Sequence, residues 1–474
     1  MKFQDTMDDL LALLKGSVSV EDNKAEIDDL RTMQRNIHQL AEVSALESGV
    51  RQGMARYLIR LIALAGGIYP ASIHDLYMAR GRGDVPPDFT VPAMNLRALS
   101  FDAGRAVFRV AQRLDAGAFI LEIARSEIGY TDQRPSEYAA SVLAAALAEG
   151  YEGPVFIQGD HFQVSAKRYQ SSPDKELQAV RDITVEAIKA GFFNIDIDSS
   201  TLVDLSKATI PEQQAINGDL TAMFTAFIRD HEPEGVTVSV GGEIGEVGGE
   251  NSTEPELRAY MDVYRAALHK VAPGAPGLSK ISIQTGTSHG GVVLPDGSIK
   301  EVSVDFDTLY HLGRVARLDY GLAGAVQHGA STLPESAFGK FVECEACEVH
   351  LATNFQNMLF DRLPEELKNR IYTYLSENHA DERKPGMTDE QFYYKTRKRS
   401  IGPFKSALWG LGDELRGQIG EEWEEQFQTL FELLEIGGTR KFVDEFIQPV
   451  LVQPKLSDYL GEEAAGEEVR DLAD

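Results

Sequence analysis

Apolar positions in the first 88 residues recur at spacings of three and four, as in Leu10, Leu11, Leu13 and Leu14 and again in Ile37, Leu40, Val43 and Leu46. That period predicts helices. The turn-rich stretch GRGDVPPDF, residues 81–89, marks a boundary. Beyond it the rhythm changes. Short β-rich runs at 89–95, 118–124, 154–160, 192–198, 236–243, 281–287, 323–327 and 347–353 alternate with helical stretches such as PSEYAASVLAAALAEG and ELRAYMDVYRAALHKV. Strands alternating with helices imply a parallel sheet. Eight such units predict an α/β fold of the (β/α)8 TIM-barrel type, for which about 250 residues suffice. An open doubly wound sheet is the alternative, but no GxGxxG follows the first strand. From residue 355 the pattern is again helical. The predicted organisation is an N-terminal helical extension (1–88), the barrel (89–360) and a C-terminal helical extension (361–474).

Composition narrows the range of functions. The 474 residues carry a net charge of −28, with a pI near 4.8. Binding nucleic acid or anionic lipid calls for basic patches, so neither is expected. One basic run, YYKTRKRSIGPFK at 393–405, stands out. The only cysteines, Cys344 and Cys347, fit a reducing compartment and exclude a disulfide framework. The acidic start lacks the basic region and cleavage site of a secretory signal. The apolar run from Tyr57 to Ile73 contains Arg60 and a Gly-Gly break, too short and interrupted to span a bilayer. A cytoplasmic protein is expected.

The informative residues stand where strands end. In a barrel, catalytic groups collect at the C-terminal ends of strands. The third run ends in Gly159-Asp160-His161, the fourth in Asp196-Ile197-Asp198, and the fifth in Gly241-Gly242-Glu243. The sixth leads into His289-Gly290 and the seventh into His328-Gly329. Three imidazoles and several carboxylates on one rim suit a divalent metal such as zinc, whose catalytic sites keep a position open for substrate. Glycine after a ligand lets an anion approach backbone N–H groups. Ser331 and Thr353 add donors nearby, and Asp160 is placed either to exchange a proton with a substrate hydroxyl or to orient a histidine.

The ordered segments VPAMN, QGDHFQ, AGFFNIDIDSSTL, GGEIGEVGGEN, GTSHGGVVLPDG and VQHGASTLPE, spread over about residues 89–360, resemble the class II, metal-dependent fructose-bisphosphate and tagatose-bisphosphate aldolases. The resemblance implies that His161, His289 and His328 bind the catalytic Zn2+, with Glu243 as an alternative ligand and Asp198 supporting a second metal position. It implies that Asp160 exchanges a proton with the C4 hydroxyl of a phosphorylated sugar. Gly290, Gly329 and Ser331 would cradle a phosphate, with Thr353 nearby and Asn95 closing the first strand. The implied activity is reversible cleavage of fructose 1,6-bisphosphate, with tagatose 1,6-bisphosphate or another phosphorylated ketose as the alternative substrate. A metal-binding non-catalytic homologue is the alternative outside the enzymes. Members of the family are commonly dimeric. This chain departs from the family pattern in several places. Gln158 replaces a histidine, Ala124 a serine and His350 an asparagine. Asn251 takes the place of a proton-shuttling glutamate, which makes Glu250 the substitute. Arg397 and Arg399 are candidates for the distal phosphate.

Overall fold

The computed structural model describes residues 3–245, 250–286, 303–461 and 472. After a first helix, Phe3–Leu13, the chain forms a hairpin of β1 (Val18–Glu21) and β2 (Lys24–Ile27). Its turn residues Asp22 and Asn23 both take positive φ, 50° and 59°. Two left-handed residues in a two-residue loop match the twist of a hairpin. Helices Leu30–Leu46 and Gly49–Ala65 follow, and then β3 (Ile68–Ala71). The helical reading of the first 88 residues therefore missed three short strands. The hairpin alternates between partly buried and exposed positions, and β3 is a four-residue buried run inside an apolar stretch that helical spacing also fits.

Eight parallel strands then close a barrel. They are β4 (Val91–Asn95), β5 (Ile120–Ala124), β6 (Gly153–Gln163), β7 (Asn194–Asp198), β8 (Ser239–Glu243), β9 (Lys280–Ser282), β10 (Ala325–Gln327) and β11 (Glu348–Leu351). Each pairs with its successor, and β11 pairs back onto β4. β3 adds a ninth strand. It lies parallel to the start of β6, at Gly153–Phe156, while β7 pairs with the same strand only from Gln158 onward. The Asn194 side chain ties this fork together. Its amide donates to Ala71 O (3.1 Å) and Ile157 O (3.0 Å), and its oxygen accepts from Ile73 N at 2.9 Å.

Both extensions share one apolar core with the barrel. Arg80, 1% exposed, donates to the carbonyls of Phe89, Glu345 and Ala346, at the entrances to β4 and β11. From the C-terminal side, Thr439 Oγ1 accepts from Gly117 N and Ala118 N, and Leu434 O accepts from Thr90 N. These contacts satisfy backbone groups at the N-terminal end of the barrel that would otherwise be buried without partners. Arg56 from the N-terminal helices, Glu137 from the barrel and Lys405 from the C-terminal helices form a further ion cluster at 3.0–3.2 Å. No described helix is long and apolar enough to cross a membrane.

Candidate metal centre and active site

Side chains alternate along a strand, so every second residue of a barrel strand points to the axis. Barrel interiors are commonly filled by Val, Ile and Leu. Here the alternating set is polar: Asn95 on β4, Glu122 on β5, Gln158 and Asp160 on β6, Asp196 and Asp198 on β7, Lys280 on β9, and Glu348 and His350 on β11. All of these are buried. At the start of the barrel Lys280 Nζ donates to Asp196 (2.9 Å), Gln158 (2.8 Å) and Glu348. Tyr77 also donates to Glu348. Burial would raise the Glu348 carboxyl, but the Lys280 ammonium prevails and holds it at about 2.

β6 carries a bulge between Gly159 and Phe162, where one extra residue enters the strand. His161 sits in that bulge with φ +40°. A histidine in this region is strained, and such strain collects at functional sites. The bulge lets two consecutive residues, Asp160 and His161, serve one centre. His161 Nδ1 lies 3.0 Å from Asp198 Oδ2 and 3.3 Å from Glu243 Oε2. Its Nε2 lies 3.9 Å from Asp160 Oδ1. The His328 ring is 4.3 Å from that of His161 and 4.1 Å from that of His350. Asp160 Oδ2 accepts from Asn95 Nδ2 at 3.2 Å, and Asn95 also donates to Glu127, the partner of Arg97.

This donor set fits a divalent cation. Asp160, His161 and His328 each offer a ligand atom within 4.8 Å of the others, and so do His161, Asp198 and Glu243. Asp160 Oδ1 is buried and makes no hydrogen bond. With two carboxylates at Nδ1, the His161 proton belongs there, which turns Nε2 and its lone pair toward the Asp160 and His328 side. The cluster calls for positive charge in any case. Burial opposes it, yet Asp160 and Glu243 hold the His161 imidazolium well above its ordinary range. Asp160 is pulled the other way: despite burial, the His161 and His350 charges keep its carboxyl well below the usual range.

Six sequence candidates thus gather at one end of the barrel: Asn95, Asp160, His161, Asp198, Glu243 and His328. His289 and Gly290 lie outside the described residues. Gly329 takes φ +71°, and Ser331 Oγ accepts from Ala352 N at 2.6 Å, just ahead of Thr353. Ser331 and Asn354 line a cavity of about 260 Å³ beside the ends of β10 and β11. Glu250 is exposed, and the neighbouring Asn251 amide is held by Asp305 at 2.7 Å. Arg397 is occupied by Asn357 and the Tyr394 ring, and Arg399 by Glu382 and the Tyr130 ring. Burial pushes the Cys344 and Cys347 thiols up to about 11 and 12, so neither is a ready thiolate.

Sequence reading missed Glu122, Lys280 and Glu348. Each is a charge at an alternate position of a strand-like run, in FILEIA, SKISI and CEVHL. That alternation was the available signal. The Gly241-Gly242 pair before Glu243 also has a packing cause. A Cβ at Gly241 would come within 2.2 Å of Asp196 Oδ1, and one at Gly242 within 2.4 Å of the Tyr260 hydroxyl.

Comparison with known proteins agrees with this architecture. The family model for class-II fructose-bisphosphate aldolase matches residues 87–407. No curated protein sequence matches the chain. Among solved structures, a probable tagatose 6 phosphate kinase from Sinorhizobium meliloti 1021 is 16% identical, with a TM-score of 0.51 over 75% of this chain and 99% of its own. Fructose-bisphosphate aldolase from Campylobacter jejuni is 16% identical, with a TM-score of 0.47 over 78% of this chain and 96% of its own. The fructuronate-tagaturonate epimerase UxaE from Cohnella laeviribosi is 11% identical, with a TM-score of 0.49 over 92% and 90%. The first of these likenesses speaks to the fold alone, whereas the family match covers more than half of the sequence. The chain belongs to the class II fructose-bisphosphate aldolase family.

Proposed function

We propose that this protein catalyses the reversible, metal-dependent aldol cleavage of a phosphorylated ketose, with fructose 1,6-bisphosphate as the leading substrate and dihydroxyacetone phosphate and glyceraldehyde 3-phosphate as products. The observation that carries the reading is Asp160. It is a buried carboxylate one residue from a metal-ligand candidate, fixed on one oxygen by Asn95 and free of hydrogen bonds on the other.

His161 and His328, joined by His289, would hold a zinc ion, and Glu243 and Asp198 would steady the His161 side of the centre. A divalent cation there supplies Lewis-acid polarisation of the ketose carbonyl. Asp160 accepts the proton of the C4 hydroxyl. As the C4 carbonyl forms, the C3–C4 bond breaks and its electron pair passes to the C2 oxygen, giving an enediolate. Glu250 then delivers a proton to C3, and dihydroxyacetone phosphate leaves. Gly290, Gly329, Ser331 and Thr353 take the phosphate.

The same chemistry admits a second reading. If the two fragments recombine on the opposite aldehyde face before release, the product is the C4 epimer. Ala124 and His350, at positions where the family carries a serine and an asparagine, favour a substrate gripped differently from a bisphosphate. A ketohexuronate, the substrate type in the UxaE name, is its test compound.

The experiment is metal analysis combined with product detection. Wild-type protein should contain a divalent metal and release triose phosphate, and His161→Ala should lose both. Full activity in metal-free protein would refute the proposal. A metal-loaded protein inactive on fructose and tagatose bisphosphates, but converting the ketohexuronate, would select the second reading.

A further inference from the structure

Beside the Asp160–His161–His328 cluster, three further donor atoms converge: Glu122 Oε1, Asp160 Oδ1 and His350 Nδ1. Their residues are 0, 3 and 4% exposed. His350 Nδ1 lies 3.0 Å from the Glu122 oxygen and 3.2 Å from the Asp160 oxygen. None of the three atoms makes a hydrogen bond of good geometry, so neither oxygen sits on the axis of the ring nitrogen.

The other ring nitrogen explains what is required here. His350 Nε2 is 2.7 Å from Glu348 Oε1, and Glu348 also accepts from Lys280 and from Gln158. Glu348 is therefore an anion, and Nε2 carries the proton it accepts. A carboxylate behind an imidazole in this way fixes the tautomer and raises the basicity of the opposite nitrogen, as it does for metal-bound histidines. Nδ1 then faces two carboxyl oxygens at 3.0 and 3.2 Å, a contact that calls for a positive charge between them, either a second ring proton or a bound cation. Glu122, Asp160, Asp196 and Glu348 each place a carboxyl oxygen within 4 Å of a His350 ring nitrogen. Donor spacing also suits a cation. Ligands bound at ~2.0–2.2 Å and at roughly right or tetrahedral angles stand roughly 3–3.5 Å apart.

We propose that Glu122, Asp160 and His350 form a second divalent-cation site, joined to the first through Asp160. The proposal rests on the reading that Asp160's neighbours His161 and His328 hold the catalytic metal. Asp160 Oδ1 faces both sites, while Oδ2, held by Asn95, keeps a lone pair for the substrate proton. Two ions sharing a carboxylate stand roughly 3.5–4 Å apart. Nitrogen and oxygen donors together suit zinc or manganese.

The test is metal stoichiometry of the full chain, loaded with zinc and freed of excess by gel filtration. Wild type should carry two ions, His350→Ala and Glu122→Gln one each, and His161→Ala should keep one. Manganese gives a second readout. Two Mn2+ ions at this spacing couple magnetically and weaken the six-line electron paramagnetic resonance signal, which His350→Asn should restore. One ion in wild type, lost in His161→Ala and kept in His350→Ala, would overturn the proposal and leave the first site standing. In that case a proton on His350 supplies the charge. No ion in wild type would overturn both. If His350→Ala does not fold, the loss of one ion in Glu122→Gln and the manganese signal of His350→Asn decide.

Discussion

Replacing Lys280 with methionine should destabilise the protein by about 3–5 kcal/mol, the usual cost of removing one partner from a buried ion pair. The structure gives an independent route to the same magnitude. Lys280 is the main reason the Glu348 carboxyl sits at about 2 rather than 4.5, and a shift of that size is worth about 3 kcal/mol. Unfolding entropy of roughly 2.1 cal/mol/K per residue amounts to about 1 kcal/mol/K for 474 residues. The thermal midpoint at pH 7.5 should therefore fall by ~3–5 °C. The pH dependence has a definite sign. Glu348 has a depressed folded-state pKa, so its contribution is present above about 4.5 and lost as the pH falls toward 2. The gap between wild type and Lys280→Met should narrow below pH 4.5. Adding Glu348→Gln to Lys280→Met should recover part of the loss, because it removes the stranded anion. Differential scanning calorimetry of the three proteins at pH 7.5 and pH 4 is the assay. A drop of less than 1 °C at pH 7.5, or a gap that does not change with pH, would refute the view that this ammonium is what the inner carboxylates depend on.

Two further predictions concern His74 and Gly241. Burial depresses His74 from 6.5 to about 4, with Arg229 adding to the effect. Its stabilising contribution is present above pH 6.5 and is lost as the pH falls toward 4, a change of about 3 kcal/mol that His74→Gln should remove from the stability–pH curve measured by denaturant titration. Gly241→Ala would press a methyl group against Asp196 Oδ1 and Lys280 Cε. It should cost about 1–3 kcal/mol, the range for overpacking a tight interior, and a thermal midpoint equal to wild type would contradict the packing account of that glycine.

Much of the architecture was legible because a parallel barrel is written in a repeated alternation of element types. Each of the eight predicted runs overlaps an observed strand; six contain it whole, while β6 (Gly153–Gln163) extends past its run at both ends and β9 begins one residue ahead of its run. The metal-ligand candidates were legible because His161, Glu243 and His328 stand at or just beyond the ends of strand-like runs, where a barrel gathers its chemistry. The inner polar layer was harder to see. Glu122 lies between apolar residues on β5, and its neighbours Gln158 and Glu348 are distant in sequence, so only the closed sheet brings them together. His161 reads as one more strand-end residue, and nothing in QGDHFQ announces a bulge or a positive φ. The hairpin and β3 escaped because four-residue strands carry too few positions to set one period against another.

The ninth strand has a consequence for how the molecule assembles. β3 acts as a shim driven between two staves, holding β6 and β7 apart at one end while they meet at the other. A cylinder built this way has a seam, and the piece that plugs it is made before any of the staves. Without that piece, the first four residues of β6 would present a bare strand edge, the kind of surface that recruits other chains. The N-terminal segment is on this view a part of the wall, and cutting it away should yield aggregates rather than a smaller, working barrel.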